Sequence, residues 1–157
     1  MRAAWRIATD TPAYTADDAS GAGAKATGGR WNRQGTPLIY AASSIALACL
    51  ETLVHLGAAG LPLNRYLVRI DIPDDMWAAA GHLTAASAPV GWDVIPAGKT
   101  SLDTGEAWVR AGTSALLLVP SIVIPEEHNV LINPLHAQAR RLACTKVRRW
   151  QYDARLA

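Results

Sequence analysis

Two charged side chains in the first third of the chain stand where their neighbours would fix them. Gly28-Gly29-Arg30-Trp31-Asn32 sets a guanidinium directly after two glycines. Adjacent glycines let the backbone approach a bound molecule closely, and a guanidinium presents a planar fork of donors that matches phosphate. Glu51 then falls inside an apolar stretch. At about 100° per residue, Leu47, Glu51 and His55 share one side of a helix, with Ile45, Cys49, Leu53 and Leu56 opposite and Leu50 and Val54 between. A helix apolar on nearly every side is expected to be buried. Burying an unpaired carboxylate is costly, so Glu51 must be paired, protonated or open to a ligand cavity. Pairing would come from His55 one turn on, or from an arginine. Together these residues point to an anionic small-molecule site with one acid for chemistry.

The elements that must hold them follow from periodicity. Ala4–Ile7 opens the chain as a strand, and the polar, small residues 9–29 form a loop. Pro37–Ala42 is a strand. Ser43 or Ser44 caps a helix to about Leu56, ended by Gly57 and Gly60. Arg65–Ile72 alternates as a strand and stops at Pro73. Residues 74–102 hold short helical pieces and loops. A helix over Thr104–Ser114 is capped by Asp103 or Thr104, with Glu106 in its first turn. Leu116–Val119 is a buried strand that continues past Pro120-Ser121 as Ile122–Ile124. Val130–Ile132 is a strand, Leu135–Leu142 a short helix and Lys146–Tyr152 a last strand. This order gives an α+β fold, mixed small sheets with flanking helices, in a single domain over residues 1–157.

Composition narrows the function. Half of the residues are hydrophobic and 18% are charged, as in a globular chain. A net charge of +2 points to no polyanionic partner. Arg140, Arg141, Lys146, Arg148 and Arg149 bunch near the end, as a solvated face or as a docking surface for an acidic partner or nucleic acid. Cys49 and Cys144 have no metal-ligand spacing, and Cys49 is read as a core residue. The four histidines show no such spacing either, so no metal is expected. No secretory signal or membrane-length apolar run is seen, which fits a reducing cytoplasm. Two decoys are set aside. Gly21-Ala22-Gly23-Ala24-Lys25-Ala26 has the GxGxxA form of a dinucleotide fingerprint but no strand before it or amphipathic helix after it. Gly98-Lys99-Thr100 ends like a phosphate loop but has Asp93 where the first glycine belongs.

The ordered set of motifs resembles the RES-domain family, the toxin half of RES–Xre toxin–antitoxin pairs. The matching pieces are Trp5-Arg6, Gly28–Asn32, Ile39-Tyr40-Ala41-Ala42-Ser43, Ala48-x-x-Glu51-x-x-Val54-His55, Trp108, Val119-Pro120-Ser121 and Asn129–Pro134 with His136. The Arg, Glu and Ser of the family name correspond to Arg30, Glu51 and Ser121. One departure is Ala137, where a proline is expected. The resemblance implies an ADP-ribosyltransferase-like fold, NAD+ as substrate rather than cofactor, and an Xre-type helix-turn-helix antitoxin as partner. Dimerisation within that complex is left open.

Nicotinamide leaves NAD+ as a neutral molecule, so no acid is needed to protonate the leaving group, and the paired carboxylates of most glycosidases are not required. One carboxylate can stabilise the positive charge that develops on the ribose. Glu51 is expected to do so, with Arg30 on the pyrophosphate or ribose edge and the Tyr40 ring stacked on nicotinamide or ribose. Arg6 is expected as a second phosphate contact or a strand-end surface charge, Trp31 as pocket wall or core, Ser121 as a donor to the carboxamide or ribose or a partner of nearby backbone, and Asn133 as a substrate contact that competes with a turn-fixing role. The leading expectation is NAD+ degradation, with water or phosphate as acceptor, halting growth. The alternatives are mono-ADP-ribosylation of a specific protein and a non-enzymatic RNA- or protein-binding module.

Overall fold

Residues 1–56 and 60–156 are described by the computed structural model. Strand β1 (Arg2–Ala8) leads through a long segment to helix α1 (Ala22–Thr27), then β2 (Ile39–Ala42) and α2 (Ile45–Leu53). After β3 (Tyr66–Ile72) come α3 (Asp74–Ala78), the two-residue β4 (Gly81–His82) and α4 (Lys99–Ala111). Strands β5 (Leu116–Pro120), β6 (His128–Ile132) and β7 (Ala143–Arg149) complete the fold. The seven strands join in one sheet, ordered β4-β5-β6-β2-β1-β3-β7. Only β4 and β5 run parallel; the other pairs are antiparallel. The α+β class stands, with the expected small sheets merged into one mixed sheet.

Alternation along the strands gives the sheet two apolar faces. Ala4, Ile39, Ala41, Val68, Ile70, Leu116, Val130 and Ile132 fill the core on one face. On the other, Leu117, Val119 and Leu131 pack with Trp31, Leu38, Trp92 and Trp108. Beside them, Ile7, Ala42 and Leu67 pack under Leu47 and Ala48 of α2. Each such aliphatic side chain contributes about 1.5–3 kcal/mol when fully buried.

The sheet is split near its centre. β1 pairs with β3 along all of Arg2–Ala8 but meets β2 at one position, Trp5 opposite Ala42. Past that pair the two strands separate. Arg6, Ile7 and Ala8 on one side, and Leu38, Ile39 and Tyr40 on the other, border a cleft of about 350 Å³.

Several expected elements shift for identifiable reasons. The segment 9–29 contains α1, so a short helix does follow Gly21. α2 starts as expected, with the Ser44 hydroxyl accepting the Leu47 N–H at 3.1 Å. It is buried on one side only: Leu50 is 37% and Val54 58% exposed, because the sheet covers a single face. The expected stop at Gly57 lies outside the described residues. α4 begins five residues before the expected Thr104; instead of capping, Thr104 lies within the helix and donates to the Thr100 carbonyl at 2.8 Å. Ile122–Ile124 is a turn, not a strand, since the Ser121 hydroxyl takes the Val123 and Ile124 N–H groups. The last strand begins three residues earlier than expected and ends at Arg149, and the 135–142 helix is a 3-10 turn over Ala137–Arg141.

Candidate active site

Glu51 lies in the second turn of α2, on the helix side that faces the ends of β5 and β6. Ser121, at the end of β5, donates its hydroxyl to Glu51 Oε1 at 2.5 Å. Asn129 of β6 donates its amide to the same oxygen at 2.9 Å. Ser121 is itself fully buried and held by two backbone donors, Val123 N–H at 3.0 Å and Ile124 N–H at 3.1 Å. One carboxylate oxygen is therefore clamped by two donors. The other, Oε2, has no hydrogen-bond partner among the described residues. Glu51 is half-buried, neither sealed in the core nor fully in solvent. Neither His55 nor an arginine pairs with it, so the pairing anticipated from helix geometry is replaced by neutral donors from two distant strands.

Arg30 sits on the loop between α1 and β2. Its Nη1 donates to the carbonyls of Trp92 at 3.0 Å and Val94 at 2.8 Å. That leaves Nε and Nη2 without partners among the described residues. Burial lowers the guanidinium pKa, opposed by the negative charge of Glu51 and then of Asp93. Arg30 thus lies within electrostatic reach of Glu51 without a direct ion pair. α4 anchors the loop: Glu106 accepts the Arg33 N–H at 2.7 Å and the Thr36 hydroxyl at 2.8 Å, while Asp103 pairs with Arg33 at 2.7 Å. Gly105 lets the helix touch the loop, since a Cβ there would lie 1.8 Å from the Trp31 carbonyl oxygen.

Tyr40 is a wall and a brace rather than an acid–base group. Its hydroxyl donates to Asn32 Oδ1 at 2.7 Å and accepts the Trp31 N–H at 2.9 Å. Burial pushes its pKa further up, so it stays protonated. The neighbouring glycine serves this brace: a Cβ on Gly29 would meet the Tyr40 hydroxyl at 2.7 Å. Gly29 therefore makes room for Tyr40, where the sequence suggested room for a ligand.

Of the other expected contacts, Trp31 is taken up by the core and Asn133 by a turn, while Arg6 holds a neighbouring segment and also lines the cleft. Trp31 is 2% exposed and stacks near Trp92, with centroids 6.4 Å apart, so it belongs to the core. Asn133 is buried, accepts the Leu135 N–H at 3.0 Å and donates to the Val109 carbonyl at 3.3 Å, which fixes the turn after β6. Arg6 stands opposite Val68 and shares its face, whereas Tyr40 stands opposite Leu131 on the other face. The Arg6 guanidinium holds the 9–20 segment through the carbonyls of Ala16, at 2.7 Å, and Asp18.

The split in the sheet relates these groups. Arg6, Tyr40, Thr52 of α2 and His55 just beyond it line the cleft. Neither Glu51 nor Arg30 lines it. The sequence marks Glu106 only as a first-turn acid of its helix and Asn129 only as part of a motif, and gives Gly105 no role. Asn129 lay within a recognised motif, but its partner is 78 residues away in the chain. Among the described residues no group of three potential metal ligands is found, and no helix is long and apolar enough to cross a membrane.

The arrangement can stabilise a cationic centre at Glu51 Oε2 and grip an anion with Arg30. The fold is similar to that in the crystal structure of the Mycobacterium tuberculosis MbcT-MbcA toxin-antitoxin complex, with a TM-score of 0.66 and 20% identity, over 94% of this chain and 84% of that one. A Sphingobium protein named Prs ADP-ribosylating toxin is 58% identical over 97% of this chain and 94% of its own length. Proteins named Toxin Res from Yersinia enterocolitica and Pseudomonas putida are 41% and 37% identical. They cover 78% and 97% of this chain, and 79% and 97% of their own. The RES domain matches residues 3–154, and the chain belongs to the RES-domain family of toxins.

Proposed function

We propose that this toxin consumes NAD+ by breaking the bond between nicotinamide and ribose, and passes the ADP-ribose to a protein side chain. The bonding pair leaves with the ring nitrogen, and nicotinamide departs neutral. The positive charge that remains at the ribose C1′ faces Glu51 Oε2, which also accepts a hydrogen bond from a ribose hydroxyl. The nucleophile then bonds to C1′ and gives up its proton to solvent water. Arg30 directs its free Nε and Nη2 to the pyrophosphate, and Tyr40 walls the nicotinamide end. Ser121 does not touch substrate in this scheme; it and Asn129 hold the acid. The single supporting observation is the Glu51 carboxylate with one oxygen clamped and the other free. The choice of a protein acceptor is supported by the 58% identity to a relative named as ADP-ribosylating.

A second reading, degradation of NAD+ with water or phosphate as acceptor, has its own support. No second carboxylate bonds to Glu51 among the described residues. The site therefore offers no evident base for a weak side-chain nucleophile, which favours an acceptor that arrives ionised, such as phosphate. Purified toxin incubated with NAD+ labelled in its adenylate half, a cell extract and phosphate separates the two. Label fixed on a protein band supports transfer. Label recovered only as free or phosphorylated ADP-ribose contradicts it and supports degradation. The proposed partner is a helix-turn-helix antitoxin that blocks the site, and the proposed setting is the cytoplasm, where NAD+ is at hand. Expression without antitoxin should then arrest growth, and Glu51→Ala should relieve the arrest.

A further inference from the structure

His82 and His128 lie outside the site described above. His82 stands opposite Leu118 on edge strand β4, and His128 stands opposite Pro120 on β6, so the two imidazoles reach each other across β5. Alternation puts His128 on the sheet face opposite Asn129 and Glu51. The two Nε2 atoms are 2.9 Å apart, the ring centroids 4.5 Å apart, and the ring planes 71° from parallel.

These distances do not describe an in-line hydrogen bond. A ring centre lies about 1.15 Å behind its nitrogen, so a straight N–H···N bond would set the centroids about 5.2 Å apart. At 4.5 Å the rings are bent off that line, and nitrogens 2.9 Å apart can both reach one ion that bonds imidazole at about 2.0–2.1 Å. We infer that His82 and His128 form a two-imidazole chelate for a divalent transition-metal ion such as Zn²⁺, Ni²⁺ or Cu²⁺. Imidazole nitrogen suits these ions. His82 is exposed, so the remaining coordination positions open to solvent. The ligands are 46 residues apart in the chain, which hid the pair from any spacing rule.

Titration of the full chain, free of any affinity tag, with NiCl2 and ZnCl2 in a calorimeter tests the inference. Wild-type protein should bind one equivalent, and metal should raise its thermal midpoint, because a ligand that binds only the folded state stabilises it. His82→Ala, at an exposed position of a two-residue strand, should keep the fold by circular dichroism and weaken binding at least tenfold. His128→Gln should do the same, and a Cys49→Ser/Cys144→Ser variant should bind as wild type. A wild-type chain that binds neither metal, a folded His82→Ala variant with unchanged affinity, or loss of binding in the cysteine variant alone overturns the proposal.

Discussion

Replacing Ser121 with alanine isolates the clamp on the acid. The hydroxyl is fully buried, donates to Glu51 Oε1 at 2.5 Å and receives the Val123 and Ile124 N–H groups at 3.0 and 3.1 Å. A hydrogen bond to a charged group contributes about 1.5–3 kcal/mol. If the clamp is needed to aim Oε2, its loss slows the chemical step by about 10- to 150-fold, at ~1.4 kcal/mol per tenfold. The KM should change little, because Ser121 does not face substrate. The two freed amides add a stability cost of about 1–3 kcal/mol each, and in a chain of this size each kcal/mol lowers the thermal midpoint by about 2–4 °C. Nicotinamide release followed by chromatography under saturating NAD+ gives the rate. The decisive form is a double-mutant cycle with Glu51→Gln. In that background Ser121→Ala should still lower the thermal midpoint but cost little further rate. A folded Ser121→Ala protein that turns over as fast as wild type would refute the positioning role. So would one that slows the Glu51→Gln enzyme as much as it slows the wild type.

Arg30→Lys should raise the KM for NAD+ at least tenfold, since an ammonium cannot both hold the Trp92 and Val94 carbonyls and offer a planar fork; an unchanged KM would place Arg30 outside the substrate site. Tyr40→Phe keeps the ring but strands the Trp31 N–H and Asn32 Oδ1, so it should cost about 1–3 kcal/mol of stability in urea titration with little loss of kcat. Gly105→Ala drives a methyl into the Trp31 carbonyl and should lower the thermal midpoint by more than any substitution above. Lys146 and the Ala16 N–H depress the Asp10 pKa below its ordinary 3.8. A depressed folded-state value stabilises the fold above that ordinary value, and the benefit is lost as pH falls through the folded one. Asp10→Asn should therefore reduce stability at pH 7 but not at pH 2, and equal losses at both would contradict the pairing.

Most of the chemistry-bearing residues were legible because they sit in short local motifs. Glu51 stood out as a carboxylate among apolar neighbours, and Arg30 and Ser121 through the ordered family resemblance. What surrounds them was not legible, because it is assembled from distant segments: Asn129 reaches Glu51 from another strand, and Glu106 and Gly105 grip the Arg30 loop from α4. The side that Arg6 takes is written in the alternation: once Ile7 faces α2, Arg6 faces the other side of the sheet. Ile122–Ile124 looked like strand because apolar β-branched residues follow Ser121, yet one buried hydroxyl capturing two backbone N–H groups turns the chain instead. α2 looked buried all round because periodicity counts apolar residues without knowing how much surface exists to cover them.

The proposed chemistry requires the free oxygen of Glu51 to meet the charge that forms on the ribose. The direct measurement is single-turnover nicotinamide release by wild-type protein and by Glu51→Gln, which keeps the shape and removes the charge. The claim requires wild-type protein to release nicotinamide, and the variant, folded and binding NAD+ as before, to be slower by at least 100-fold. A Glu51→Gln protein that releases nicotinamide at the wild-type rate would contradict it.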